Sequence, residues 1–219
     1  TDVNDGTLLI NGDNSGATAA VGVLSGGTLG GDGTIGGDTT IAAGGFLSPG
    51  ATAGTIGDLE FVDANLDLTN ISPGALLFDL SNPGPSDQII LSGTGTLTID
   101  TLSFEDFLFA STGSFVSGDQ VVLFANANSI SGALGNQFGT VDGLFTRLSF
   151  DNNDIILEFS DTQFIGGPGY FNGIPEPSRA LLLAFGSLFM ILQRRRRSSS
   201  SYKWCRERSQ QNLFLIDAV

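Results

Sequence analysis

Aliphatic residues recur at every sixth position in the first part of the chain. Val23, Leu29, Ile35, Ile41 and Leu47 keep this spacing among glycines and threonines. A period of six fits short strands whose side chains alternate inward and outward between glycine turns, whereas a flexible linker needs no such register. The spacing therefore predicts a solenoid in which each short strand stacks on an earlier one. Stacked hairpins of the same composition are the alternative.

Residues 57–100 contain longer alternations of apolar with polar or small residues. Such alternation is typical of half-buried strands, and the turn-forming sequences Ser72–Gly74 and Asn82–Asp87 separate them. We therefore predict a Gly/Thr-rich parallel β-helix over residues 1–103, with these segments as its later turns. The alternating apolar residues are Leu59, Phe61, Leu66, Leu68, Leu76, Phe78, Leu80, Ile89, Leu91, Leu97 and Ile99.

The segment from Gly27 to Gly50, continued by Gly54-Thr-Ile-Gly57, is similar to the passenger-associated, autotransporter-type β-strand repeat. The resemblance covers roughly residues 6–70. Members of that family form parallel β-helices in exported surface proteins, so the resemblance implies the same fold and an exported location here. A passenger domain of an autotransporter would also require a β-barrel that this sequence does not contain.

Phenylalanine marks a change of character after residue 103. Eleven phenylalanines lie between residues 104 and 171, against three in the segment 1–103. We predict that residues 104–165 form an antiparallel β cap, because bulky aromatic side chains can cover the open end of a solenoid. A separate domain is the alternative, and the glycine-rich residues 166–173 are predicted to be a linker.

The tail has three parts in a fixed order. Pro175 and Pro177 hold Glu176 on an extended ribbon, an apolar segment follows, and four arginines close the pattern. The arginines are Arg194, Arg195, Arg196 and Arg197. The apolar residues are Ala180, Leu181, Leu182, Leu183, Ala184, Phe185, Gly186, Ser187, Leu188, Phe189, Met190, Ile191 and Leu192.

The apolar segment predicts a single transmembrane helix. Thirteen helical residues cover roughly 20 Å of a hydrocarbon core about 30 Å thick. Counting from Ile174 to Gln193, with Arg179 extending its guanidinium to the interface, makes a thin or tilted span possible. Arg194 to Arg197 then stay in the cytoplasm under the positive-inside rule, which places residues 1–173 outside. The alternative is a buried core helix.

This three-part tail resembles the PEP-CTERM sorting signal of exported bacterial proteins over residues 174–197. The resemblance implies that Pro175, Glu176 and Pro177 are recognised by an exosortase-like membrane protease, which removes the tail and leaves the protein at the cell surface or outside the cell. Members of that family usually end within a few residues of the arginines. Residues 198–219 depart from this pattern and are predicted to be disordered, either as a short cytoplasmic tail or as the product of read-through.

Charge is divided very unevenly along the chain. Residues 1–173 contain 20 acidic side chains and one basic one, Arg147, while residues 174–219 contain eight basic and three acidic ones. An acidic exterior repels phosphate backbones, so nucleic acid is excluded as a partner. Export further implies that a signal preceded Thr1, the first residue, in a longer or unprocessed form.

The available side chains exclude several kinds of catalytic site. The chain has no histidine and one cysteine, Cys205, so catalytic triads, histidine-ligated zinc and disulfides are excluded. Glu60 with Asp58, or Glu105 with Asp106, could supply the two carboxyls of a glycosidase, but nothing distinguishes either pair.

Two aspartates beside glycine pairs, Asp32 and Asp38, are weak candidates for calcium ligands. The pattern resembles calcium-binding nonapeptide repeats, but Ile35 occupies the position of a second aspartate, so solvated turn aspartates are the simpler interpretation.

Together these features predict a non-enzymatic, exported bacterial surface or matrix protein with no cofactor. We expect its partners to be an exosortase-like protease and the inner membrane, with extracellular polysaccharide as a possible ligand. The alternative is a glycan-binding or glycan-cleaving β-helix module.

Overall fold

The computed structural model describes residues 1–52 and 54–164, and the regular secondary structure there is β-strand apart from one short 3₁₀ helix. The first fifteen strands, in chain order, are β1 (Asp2–Val3), β2 (Gly6–Leu9), β3 (Asp13–Asn14), β4 (Val21–Val23), β5 (Gly27–Gly31), β6 (Thr34–Ile35), β7 (Thr39–Ile41), β8 (Phe46–Pro49), β9 (Asp58–Val62), β10 (Leu66–Asp67), β11 (Leu76–Leu80), β12 (Gln88–Ser92), β13 (Thr96–Leu102), β14 (Phe107–Ser111) and β15 (Gln120–Ala125). A 3₁₀ helix, η1 (Phe104–Asp106), lies between β13 and β14. The remaining strands are β16 (Ser129–Leu134), β17 (Phe138–Val141), β18 (Leu144–Asp151) and β19 (Asp154–Ser160).

Each strand from β1 to β13 pairs in parallel with the strand three places later in the chain. This pairing gives three sheets. The first sheet has the order β1-β4-β7-β10-β13-β16 and the second the order β2-β5-β8-β11-β14. The third begins β3-β6-β9-β12-β15 and continues through β19, β18 and β17. Successive sets of three strands therefore form coils, with one strand of each coil in each sheet. This all-β, parallel topology is compatible with a β-helix.

The six-residue spacing places one buried aliphatic side chain in each of the strands β4 to β8. Val23, Leu29, Ile35, Ile41 and Leu47 lie in β4 to β8, one to a strand, and all five are buried. Val23 of β4 lies beside Ile41 of β7, so three strands of this spacing complete a coil. The prediction of short, stacked, inward-facing strands is confirmed for this part of the chain.

Apolar residues from successive coils stack in register. In the second sheet Leu8 lies beside Leu29, Leu29 beside Leu47, Leu47 beside Leu76 and Leu76 beside Phe107. The last four are buried and belong to one continuous core. Because each inward side chain packs on the one above it, burial and parallel pairing specify the same register.

The later coils are larger than the early ones. Leu97 lies beside Ile130 in the later coils, and Val23 lies beside Ile41 in the early ones. The number of residues between the two partners is nearly twice as large for the later pair. Strands β11, β12 and β13 are also longer than β6 and β7. The largest fully buried side chains are those of Phe61, Phe78 and Phe124. The larger section of the later coils therefore accommodates aromatic residues.

Three phenylalanines lie in or near η1. Phe107 and Phe109 stack with ring centroids 5.2 Å apart, and Phe104 lies 5.6 Å from Phe109. Parallel pairing nevertheless continues beyond residue 103 through β14, β15 and β16, and antiparallel pairing involves only β15 with β19 and the strands β17 to β19 among the named strands of the described ranges.

Within residues 1–52 and 54–164 there is no helix long and apolar enough to span a membrane. The predicted transmembrane segment, residues 180–192, lies outside the described residues, as do the predicted linker 166–173 and the tail 198–219.

Close approach of the coils at Gly36 gives a test of this packing. A Cβ atom built on Gly36 would lie 1.9 Å from the carbonyl oxygen of Ser15 on the preceding coil, whereas one built on Gly12 would meet nothing within 4 Å. We expect Gly36→Ala to lower the free energy of unfolding in urea by about 1–3 kcal/mol, because the backbone of the neighbouring coil must shift.

Gly12→Ala is the matched control, and we expect it to change the free energy of unfolding by less than about 1 kcal/mol. Equal stabilities for the two variants would contradict the close packing of the coils at Gly36.

Candidate functional site

The residues predicted to form the sorting signal lie outside the described part of the chain. These are Pro175, Glu176 and Pro177, the apolar residues 180–192 and Arg194 to Arg197. Their role therefore stays a prediction.

The two weak calcium candidates lie on turns of the early coils. Asp38 Oδ1 accepts hydrogen bonds from the backbone N–H of Asn65 (2.8 Å) and from Asn65 Nδ2 (3.0 Å), so this carboxylate connects two coils. The backbone N–H of Asp32 donates to Asn11 Oδ1 at 3.4 Å. In the described ranges, no three Asp, Glu, His or Cys residues come together as a metal site.

The two candidate carboxylate pairs have different environments. Asp58 and Glu60 are two residues apart on β9, so both point away from the core with Cα atoms roughly 6.6 Å apart. Asp106 is buried and accepts a hydrogen bond from the backbone N–H of Ser103 at 2.8 Å, while Glu105 accepts one from Asn136 Nδ2 at 2.5 Å. Burial raises the pKa of Asp106. The carboxylates of Glu105 and Asp106 are therefore engaged in hydrogen bonds that hold η1 and the segment at Asn136.

Arg147, the only basic side chain in the segment 1–173, is paired within the antiparallel strands. Its Nη2 lies 2.5 Å from Glu158 Oε2, and its guanidinium carbon lies 4.9 Å from the centre of the Phe164 ring. This cation is consequently engaged between β18 and β19.

A cleft of about 340 Å³ lies where the connections between the second and third sheets are long. Between β5 and β6 this connection is residues 32–33, but in three later coils it is 50–57, 81–87 and 112–119. We call the stacked connections 81–87 and 112–119 the long corners. Outer-face residues of the third sheet, Asp58, Gln88 and Val122, line the cleft beside them.

Hydrogen bonds from Asn82 join the two long corners. Asn82 Nδ2 donates to Asp119 Oδ2 at 2.5 Å and to the carbonyl of Ser114 at 3.3 Å, and the N–H of Ser114 donates to the carbonyl of Asn82 at 3.0 Å. Asp119 Oδ2 also accepts from the N–H of Val116 at 2.8 Å. The walls of the cleft are thus held together by paired polar groups.

Asp87 anchors the first long corner from behind the cleft. Its side chain is fully buried, Oδ1 accepts from the N–H of Gly57 and Oδ2 from the N–H of Asp79, each at 2.8 Å. Burial raises the pKa of Asp87 to about 7, although these two hydrogen bonds oppose the shift. Burial also raises the pKa of Asp58. The carboxyl of Asp87 therefore holds three segments of two coils in position.

The cleft combines hydrogen-bonding groups of both kinds with a small apolar surface. Gln88 and Gln120 carry amides, Asp58 and Asp119 carry carboxylates, and the largely buried Phe115 contributes apolar surface. No basic residue is among the described residues that line it. Such a surface can bind hydroxyl groups, which both donate and accept.

Sequence reasoning identified 82–87 as a turn but missed Asn82, Asp87 and Asp119 as residues that shape a site. Local sequence does not separate them from other turn residues. Insertions in consecutive coils were the available signal, because equivalent corners of a stacked fold lie next to each other.

A scan of the chain against protein-family models gave no match, and a search of curated proteins found no similar protein.

The buried carboxyl of Asp87 predicts a pH-dependent stability. Because its pKa is raised from 3.8 to about 7, the folded chain binds more protons than the unfolded chain between these values. The contribution of Asp87 to stability is therefore present at low pH and is lost as pH rises towards about 7, with a slope of at most about 1.4 kcal/mol per pH unit.

We expect the free energy of unfolding in urea, followed by circular dichroism, to decrease less between about pH 5 and pH 7.5 in Asp87→Asn than in the wild type. Asp100→Asn, which removes an exposed carboxyl from β13, should keep the wild-type dependence. An unchanged pH dependence in Asp87→Asn would show that Asp87 is not the group responsible.

Proposed function

We propose that this chain is an exported bacterial protein that serves a structural or adhesive role at the cell surface or in the extracellular matrix. Its body is an acidic β-helix, and its tail is a sorting signal. The ordered tail over residues 174–197, with a proline-bracketed carboxylate, an apolar segment and four arginines, is the observation that carries the proposal. The parallel, coiled topology of the body supports it, since stacked coils present an extended surface.

The antiparallel strands serve as the cap of this β-helix. Their position at one end of the third sheet supports this role, because β19, β18 and β17 follow β15 there. A Cβ atom built on Gly139 of β17 would lie 2.0 Å from the Phe104 ring, so the strand backbone lies directly against the phenylalanines around η1. Covering these rings removes apolar surface from water at the end of the coils.

The tail holds the exported protein in the inner membrane for sorting. Residues 180–192 halt there as a transmembrane helix, Arg194 to Arg197 remain in the cytoplasm, and an exosortase-like protease reads Pro175, Glu176 and Pro177. Cleavage then leaves the acidic body outside the cell. The distribution of basic residues supports this orientation, since Arg194 to Arg197 closely follow the apolar segment and Arg147 is the one basic residue before residue 174.

The role is non-enzymatic and uses no cofactor. The chain has no histidine, and buried or hydrogen-bonded carboxylates such as Asp87, Asp106 and Asp119 are engaged in holding the backbone. A carboxylate committed in this way is poorly placed to transfer a proton to a substrate.

Sorting is tested by the carboxyl terminus of the protein recovered from cells of a host that contains an exosortase. Mass spectrometry should find an end near Pro175 in the surface or extracellular fraction. We expect Glu176→Ala to leave the tail attached and to keep the protein in the membrane fraction, because the recognised tripeptide is lost.

Glu207→Ala, which removes the other glutamate of the tail, is the matched control and should be processed normally. An intact end at Val219 in every fraction of the wild type would contradict the proposed sorting.

A further inference from the structure

We propose that the cleft at the long corners binds a segment of a neutral polysaccharide. This inference rests on the proposed function, because a protein at the cell surface or in the matrix meets extracellular polysaccharide there. Binding itself depends only on the cleft in the described part of the chain. The ligand class follows from the hydrogen-bonding groups of the cleft, its small apolar surface, its charge and its fixed shape.

The polar lining matches the hydroxyl groups of a sugar. Gln88 Nε2 donates to the carbonyl of Val122 at 3.4 Å, and Gln120 Nε2 donates to Glu158 Oε1 at 3.3 Å, so both amides are held by contacts on one side. An amide held through its nitrogen offers its oxygen as an acceptor. The carboxylate of Asp58 is a further acceptor at the start of β9.

A small apolar surface beside these polar groups can contact the C–H groups of a sugar ring. Phe115 is 8% exposed, so it adds only a small apolar area to the cleft; its ring stacks on Phe159 with centroids 4.2 Å apart and ring planes within 2° of parallel. The side chain of Val122 extends this apolar surface on the outer face of β15. A sugar, which carries hydroxyl groups at its edge and C–H groups on its faces, can use both kinds of surface.

Charge selects neutral over anionic polysaccharides. Asp58 and Asp119 line the cleft, and Arg147, the one cationic side chain of the described body, is paired with Glu158. Uronate, sulfate or phosphate groups would enter a negative site without a counter-charge, which opposes their binding. A metal-bridged ligand is disfavoured as well, since the body as described brings no three metal-ligating side chains together.

The cleft is formed before any ligand enters. Asn82 and Asp119 hold the long corners together, and buried Asp87 fixes the first of them to Gly57, just before β9, and to β11. A preformed site loses little conformational entropy on binding. Its volume of about 340 Å³ lies at the lower end of the range for ligand sites, which suits one short part of a polymer.

The test is isothermal titration calorimetry of the full chain, Thr1 to Val219, with three neutral hexasaccharides, maltohexaose, cellohexaose and laminarihexaose, and with anionic hexagalacturonate. We expect saturable binding of at least one neutral probe at micromolar to millimolar concentration and no comparable binding of hexagalacturonate. Val122→Arg places a long side chain in the cleft and should weaken binding of the neutral probe at least tenfold. Asp58→Ala removes an acceptor and should weaken that binding several-fold.

Leu108→Arg is the matched control, because Leu108 is an exposed strand residue that does not line the cleft, and this variant should bind as the wild type does. Circular dichroism confirms that each variant is folded. The proposal is overturned by absence of neutral binding at millimolar concentration, by wild-type affinity in Val122→Arg, or by preference for hexagalacturonate. Hydrolysis of a bound probe would overturn the assignment of a binding role without catalysis. Each of these outcomes is independent of tail cleavage.

Discussion

Stacking of apolar side chains between successive coils is the interaction on which this structure depends. The row formed by Leu8, Leu29, Leu47, Leu76 and Phe107 extends across all five strands of the second sheet. Backbone hydrogen bonds between parallel strands accompany this row, and both requirements fix the same register. With neither disulfides nor histidine-bound metal available, the body relies on this stacking and on the hydrogen bonds between its coils.

Regular stacking leaves the connections between strands free to vary. The interval between stacked partners nearly doubles from the pair Val23 and Ile41 to the pair Leu97 and Ile130, while the inward positions remain in register. Part of the added chain lengthens the strands, and part forms the long corners, whose polar side chains shape the cleft. A rigid core thus positions variable loops, which is the usual arrangement for binding surfaces.

The regular part of this fold was predictable because its signals are local. Six-residue spacing identified the inward residues from Val23 to Leu47, and alternation identified later strands such as β11 and β12. The cleft was not predictable from local sequence, since Asn82 and Asp119 meet only when two coils stack. Composition likewise marked the Phe-rich segment but did not reveal that β14 and β15 pair in parallel with the preceding coil.

Hydrogen-bond connectivity in the early and middle coils tests the central claim most directly. Nuclear magnetic resonance couplings across hydrogen bonds should connect the N–H of Ala42 to the carbonyl of Val23, and the N–H of Leu47 to the carbonyl of Ala75. Partners so far apart in sequence belong to successive coils. Couplings that instead join adjacent strands in antiparallel pairs, such as β7 with β8, would indicate stacked hairpins and contradict the coiled arrangement.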